Sequence, residues 1–423
     1  MRFSFAEGLR CVTCGTTYGF DELMYTCPGC GPIAGTLDVL YDKGGLAASF
    51  GPEILQRRTD PTIWRYHEIL PIHDAAAVVP IPVGMTPLYR LECDIGASPG
   101  MRLFVKDDTR HPSGSAKDRA TAVGLARARE VGAAAVAAAS TGNAASSLAT
   151  FAARAALPCY VFAPASAPAA KLIQIRAHGA ILFAVDGTYD QAFDLCTEAC
   201  RRMGIYNRST AINPLLGEGK KTISLEIWEQ LGFRAPETIL VPVGDGCIVG
   251  GVYKGFRDLL DLGLIERVPK IVGVQAAGSA AIATAWQRQS DRCTPVDVRT
   301  VADSISVSMP RDQVKALRAI RASGGCFITV SDEAILDAMA ALASRAGIFV
   351  EPAAAAPLAG LREACLTGGF GQDEEVVLLH TGHGLKDIDS ARRAASWNEP
   401  LTVSPEWDEV ARVLAERLPK GSK

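Results

Sequence analysis

From about residue 80 onward, short apolar runs alternate with stretches long enough to be helices, and this alternation restricts the chain to few architectures. "RLFVKDD" at 102–108, "AAAVAAAS" at 133–140, "LPCYVFAP" at 157–164, "ETILVPVG" at 237–244, "KIVGVQAAG" at 270–278 and "EEVVLLHTGHG" at 374–384 read as strands. Each holds a short apolar run, and strands separated by helix-length segments argue for covered faces. Parallel neighbours need a helical crossover, and segments such as "DRATAVGLARAREVG" at 118–132, read as an amphipathic helix, supply it. The expected fold class is α/β, built on parallel sheets with helices on both faces.

Composition narrows the function. The 423 residues are 48% hydrophobic and 21% charged, enough for two or three domains with sizeable cores. A net charge of −3 gives no broad positive field to hold nucleic acid or an anionic membrane. The opening "MRFSFAEGLRC" has no apolar signal-peptide core, and no apolar run reaches membrane-spanning length. The expectation is a cytoplasmic protein acting on a small molecule, with no nucleic-acid or membrane partner. The twelve cysteines then read as buried thiols or metal ligands rather than a disulfide framework.

Residues 1–45 form a unit of their own. Cys11-Val-Thr-Cys14-Gly and Cys27-Pro-Gly-Cys30-Gly are separated by twelve residues, a spacing that suits a zinc ribbon. Four protein thiolates leave no open coordination position, so the site would be structural; a relic, metal-free knuckle is the alternative. Residues 46–100 are expected to form a connection and the start of a large domain, with Pro52, Pro61, Pro71, Pro80 and Pro82 running over the surface. A small α/β region is expected over 101–215, a large one over 216–396, and a tail over 397–423 whose "EWDEVARVLAERL" is an amphipathic helix that packs or caps.

In parallel α/β sheets ligands gather beyond the C-terminal ends of strands, and four such loops have unusual content. Lys117 follows a Pro-Ser-Gly-Ser turn and opens a helix, where a pocketed lysine has the lowered pKa that covalent amine chemistry requires; an exposed lysine beside a turn is the ordinary alternative. Ser140, Thr141, Gly142, Asn143 and Ala144 enter a helix whose free amides suit a carboxylate, or simply cap it. The turn Gly244-Asp245-Gly246-Cys247-Ile248 brings backbone amides toward a phosphate, although Asp245 would repel one unless it points away. Thr381-Gly382-His383-Gly384 follows the last strand, with His383 read as structural.

In this combination and order, the loops resemble the pyridoxal-phosphate (PLP) enzymes of fold type II, and most closely the threonine synthase family. The likeness is carried by the paired C-x-x-C opening, "GMTPLYRL", "LFVKDDTRHPSGSAKDR", "ASTGNAASSLA", "INPLLGEGKKT", "VPVGDG", "VADSISVSMPRD", "FVEPAAAAPLAGL" and "LLHTGHGLKD", nearly the whole chain. It implies two parallel-sheet α/β domains behind the ribbon, and a homodimer is expected. It implies that Lys117 anchors the cofactor covalently and acts as the base at the substrate Cα. Asn143 would bond the cofactor's 3′ oxygen, and the loop Ser140–Ala144 would hold the substrate carboxylate. Gly244, Asp245, Gly246, Cys247 and Ile248 would cradle the phosphate, and Thr381 would face the pyridine nitrogen.

The chain also departs from the family. Where threonine synthases carry Asn-Ser-Val-Asn-Pro-x-Arg-x-Glu-Gly-Gln-Lys-Thr, this chain has Ala211 for the serine, Leu216 for the arginine and Lys220 for the glutamine. Losing a forked contact to a substrate phosphate costs about 1.5–3 kcal/mol per hydrogen bond. Leu216 and Lys220 are therefore expected in the substrate subsite, with Lys220 a partial replacement for the missing charge. Ala116, where phenylalanine is usual, and a phosphate turn one residue shorter point the same way. The expected reaction is elimination or replacement at the β or γ carbon of an amino acid after Cα deprotonation. The substrate is expected not to be O-phosphohomoserine. Threonine synthase proper, a β-eliminating ammonia-lyase or dehydratase, a β-replacing synthase such as cysteate synthase and a non-catalytic paralogue are the alternatives.

Overall fold

The structure is a computed structural model that describes residues 2–167, 169–371, 373–394 and 400–417. Its first strands, β1 (Ala6–Cys11), β2 (Thr17–Gly19) and β3 (Leu37–Tyr41), form an antiparallel sheet in the order β2-β1-β3. Both knuckles turn at glycine: Gly15 and Gly31 have φ of +77° and +76°. The left-handed conformation lets their amides reach back to the Cys11 and Cys27 carbonyls, each at 3.0 Å.

Next come β4 (Leu88–Arg90) and β5 (Arg102–Asp107), then β6 (Val136–Ala139), β7 (Cys159–Pro164), β8 (Ile181–Val185) and β9 (Tyr206–Asn207). The chain finishes its strands with β10 (Thr238–Pro242), β11 (Lys270–Ala276), β12 (Cys326–Val330) and β13 (Glu375–His380). A six-stranded sheet has the order β12-β11-β10-β13-β5-β4, and a four-stranded sheet has the order β8-β7-β6-β9. All pairings in these two sheets are parallel except that of the edge strand β4 with β5. One face of the large sheet packs on helices Leu215–Gln230 and Cys247–Asp261 through Trp228, Val252 and Phe256; the other packs on the alanine-rich helix Pro352–Leu366. Every residue of β10 and β13 is buried, as their unbroken apolar runs require.

Four expectations need correction. A division at residue 101 does not follow the sheets: β5 lies in the large sheet, paired with β13 so that Val377 stands opposite Phe104, and the small sheet begins at β6. Residues 46–80 are not a surface wrap, because Ile63, Trp64, Tyr66, Ile69, Leu70 and Ile72 are core residues. The tail helix Trp407–Arg417 buries no residue, and Trp407 is 71% exposed. The helix Lys117–Glu130 is not amphipathic either; it is buried nearly all round, between helices Asn143–Arg154 and Leu215–Gln230.

A fully buried charge network locks that helix in place. Arg119 donates to Asp108 Oδ1 and Oδ2, each at 2.7 Å, and to Glu226 Oε2 at 2.8 Å; Lys106 Nζ lies 2.6 Å from the same Glu226 oxygen. Burial pushes the Glu226 carboxyl up, but Arg119 and Lys106 outweigh it and hold the group at about 2. Glu226→Gln leaves Arg119 and Lys106 short of an anion and should destabilise the protein by about 3–5 kcal/mol, read as a lowered urea midpoint. Because the folded-state value lies below the ordinary 4.5, the stabilisation is complete above about pH 4.5 and is lost as pH falls toward 2. The variant should lose that part of the wild type's acid sensitivity.

Candidate active site

The strand β5 ends at Asp107, and ten residues later the chain opens the helix at Lys117. Between them a turn closes at Gly114, with φ of +80°, and Asp118 accepts from the Ser113 amide at 2.8 Å and from its hydroxyl. Ala116 N donates to Thr381 O at 2.9 Å, and Ser115 forms a bridge with Gly382, so the lysine turn is stitched to the loop beyond β13. Among the described residues Lys117 Nζ has no hydrogen-bond partner. Burial and then the neighbouring Lys220 bring its ammonium down to about 8.

Lys117 stands at the junction of two cavities. The larger, about 420 Å³, is lined by Ser140, Thr141, Gly142, Asn143 and Ala144 on one side and by Asp303, Ser304 and Arg311 on the other. The smaller, about 50 Å³, is lined by Lys220, Gly244, Asp245, Gly246, Cys247, Ile248 and Thr381. Asp245 and Ser304 face both. The loops that end β5, β6, β10 and β13 thus meet at one place, as parallel-sheet topology favours.

Leu216 lines neither cavity. It is 1% exposed, and its side chain lies over Gly124 of the Lys117 helix, where an added Cβ would meet Leu216 Cδ2 at 2.9 Å. Lys220, one turn further on, faces the small cavity rather than the large one. Sequence reasoning also left four residues unassigned. Glu351 accepts from Asn143 Nδ2 at 2.9 Å, and Ser304 Oγ lies 3.1 Å from the same nitrogen, which fixes the asparagine at the cavity wall. Arg208, 1% exposed, donates to the Lys117 carbonyl at 3.3 Å and to Thr121 Oγ1 at 2.9 Å. Arg311 donates to Asp190 Oδ1 at 2.8 Å. Glu351, inside the quoted "FVEPAAAAPLAGL", and Ser304 and Arg311, inside "VADSISVSMPRD", carried a sequence signal, whereas Arg208 carried none. His383 caps the short turn after Thr381 by accepting from Leu385 N, a structural role.

The residues present fit a phosphorylated aldehyde cofactor. Gly246 has φ of +97°, and a Cβ there would strike Asp312 O at 2.8 Å; one on Gly244 would strike Ile305 Cα at 2.9 Å. The turn therefore presents bare backbone, and the helix Cys247–Asp261 begins at it with its first-turn amides unused. Lys117 would carry the carbonyl carbon, Asn143 would meet its ring substituents, and the Thr381 hydroxyl, which makes no hydrogen bond, would meet the ring from the other side. At the N-terminus the sulfurs of Cys11, Cys14, Cys27 and Cys30 lie within 4.8 Å of one another, a set that could hold one metal ion. Because the neutral amine is the reactive form, labelling of Lys117 by a small aldehyde and borohydride should rise with pH through about 8. Peptide mapping checks this against the surface lysines, which should label only at higher pH.

Comparison with known proteins accords with this geometry. Residues 79–382 match the model of the family described as pyridoxal-phosphate dependent enzyme. The threonine synthase of Methanocaldococcus jannaschii is 39% identical over 412 residues, 96% of this chain and 99% of its own. That of Methanosarcina acetivorans is 41% identical over 411 residues, covering 96% and 98%. Among solved structures, threonine deaminase isoform 2 of Solanum lycopersicum superposes with a TM-score of 0.61 at 22% identity, over 70% of this chain and 83% of that one. A fungal L-serine ammonia-lyase from Rhizomucor miehei gives 0.59 at 22%, over 73% and 96%. The chain is a PLP-dependent enzyme of the fold type II architecture and belongs to the threonine synthase family.

Proposed function

We propose that the enzyme removes the α-proton of an amino acid with Lys117 and then eliminates or replaces a substituent at its β or γ carbon. The observation that carries this is the unbonded, depressed-pKa amine of Lys117 at the floor of the cavity, flanked by the Ser140–Ala144 loop. Bound pyridoxal phosphate supplies the electron sink for charge left at Cα. Ser140, Thr141 and the amides opening the Asn143 helix suit the substrate carboxylate, which sets Cα over Lys117. Thr381, a hydroxyl and not a carboxylate, leaves the ring nitrogen unprotonated and favours elimination and replacement over transamination.

The charge of the larger cavity favours a substrate without a phosphate dianion. Asp190, Asp245 and Asp303 face it against a single guanidinium, Arg311, which Asp190 already engages. Burial raises the Asp245 carboxyl, yet Asp190 by itself already offsets the arginine. Leu216 lies outside this cavity and does not bear on a substrate phosphate. A neutral or cationic leaving group, as in serine, threonine or 2,3-diaminopropionate, suits these walls. The alternative is threonine synthase proper, acting on O-phosphohomoserine, and the full-length likeness to the archaeal threonine synthases favours it.

Steady-state assays with O-phosphohomoserine, O-phosphoserine, serine, threonine and 2,3-diaminopropionate decide between them. We expect the highest kcat/KM with an uncharged or cationic side chain; O-phosphohomoserine at or above about 10⁴ M⁻¹s⁻¹ would establish the alternative. Lys117→Ala should lose both the covalent cofactor band and turnover, and a band that survives it would remove Lys117 from the reaction. The four-cysteine cluster is read as a structural zinc site. Metal analysis of protein purified without chelator should find one zinc per chain, lost when Cys11 and Cys14 are replaced by serine. A cytoplasmic homodimer completes the proposal, and sedimentation at twice the chain mass checks the dimer.

A further inference from the structure

Lys220 is the least expected group in the site. It is 3% exposed, it makes no hydrogen bond or ion pair among the described residues, and it lines the small cavity beside the glycine turn. Arg208 and Lys117 repel it, and Asp312 and Asp245 attract it without bonding; the Cys247 thiol beside it is kept neutral by burial. The two carboxylates are otherwise engaged: Asp245 Oδ1 accepts from Arg311 N at 3.2 Å, and Asp312 Oδ1 accepts from Thr36 Oγ1 at 3.0 Å. A buried ammonium left without a partner is costly, and the cost is retained only where something supplies the missing anion.

We infer that Lys220 is the counter-charge of the cofactor's phosphate group, and that it is therefore not available to a phosphate on the substrate. The inference rests on the cofactor reading above and adds a residue to it. Three features converge on the same cavity. Gly244 and Gly246 have no room for side chains, as the clashes of added Cβ atoms show. The helix Cys247–Asp261 aims its amino end there. Lys220 closes the third side from helix Leu215–Gln230, its Cβ lying 2.7 Å from where a Cβ on Gly251 would sit, so the backbones of the two helices are in close contact. Asp245 within the turn opposes an incoming phosphate, and the ammonium offsets that repulsion.

The test compares pyridoxal phosphate with pyridoxal, which has the aldehyde but no phosphate, as ligands of the apoprotein. Lys220→Met and Lys220→Gln should weaken pyridoxal phosphate on the order of ten- to hundredfold, leave pyridoxal within about twofold of the wild type, and Lys220→Arg should restore most of the loss. Removing an unpaired buried charge should also raise the melting temperature of the Lys220→Met apoprotein and shrink the further rise that pyridoxal phosphate produces. Equal loss of both ligands, or a destabilised Lys220→Met apoprotein, would make the lysine merely structural and overturn the inference. Unchanged pyridoxal phosphate affinity with a raised KM for O-phosphohomoserine would assign Lys220 to the substrate and overturn it too. Failure of the cofactor reading looks different: the wild type would then form no covalent band with either ligand.

Discussion

The pairing of Arg119 with Asp108 and Glu226 holds the active site in register. Arg119 sits two residues beyond Lys117, Asp108 follows β5 directly, and Glu226 lies on the helix that also carries Lys220. One guanidinium thus ties the first turn of the lysine helix to a strand of the large sheet and to the helix that covers that sheet. Lys106 and Thr86 complete the network, so that two cations and two carboxylates are buried together. Such a cluster is expensive to bury and stabilises only when every member is paired. Its yield is positional: Lys117 cannot move without breaking it.

Around Lys117 the balance is deliberately unequal. Arg208 and Lys220 are buried cations with no carboxylate bonded to them, whereas Glu351 is a buried carboxylate held by Asn143 and Ser304. Burial and Asn143 act in opposite directions on Glu351, and the net effect is a raised pKa. Burial first, and then these cations, depress the lysine amine, and Lys220 would suit a phosphorylated cofactor that brings its own negative charge. The larger cavity carries Asp190, Asp245 and Asp303 together with Arg311.

The ribbon is part of this arrangement. Tyr25 accepts from Asn207 N at 2.8 Å, immediately before Arg208, and Thr36 donates to Asp312, whose amide bonds Asp245 O at 3.0 Å. Lys315 reaches back to the Leu37 carbonyl at 2.6 Å. The four-cysteine unit therefore touches the segments on either side of the small cavity. A structural metal site there would steady both.

Much of this was legible in the residues themselves. Strands β6, β7, β10, β11 and β13 follow from apolar runs, because a strand covered on both faces has few polar positions; β5 shows only Leu103–Val105 as such a run and buries Lys106 and Asp107 as well. The four loops stood out because glycine, small hydroxyls and an isolated lysine at strand ends are chemically unusual in any fold. What the residues alone could not decide was direction and partnership. Leu216 and Lys220 are four positions apart on one helix, yet Leu216 turns toward Gly124 and Lys220 toward the glycine turn, since small differences in azimuth choose between neighbouring elements. The pairing of β5 with β13, some 270 residues away, overrides the order of the chain and moves the boundary expected at residue 101. Local chemistry was set by the sequence; which groups share a cavity, and which buried charge remains without its anion, was decided only when distant segments packed together.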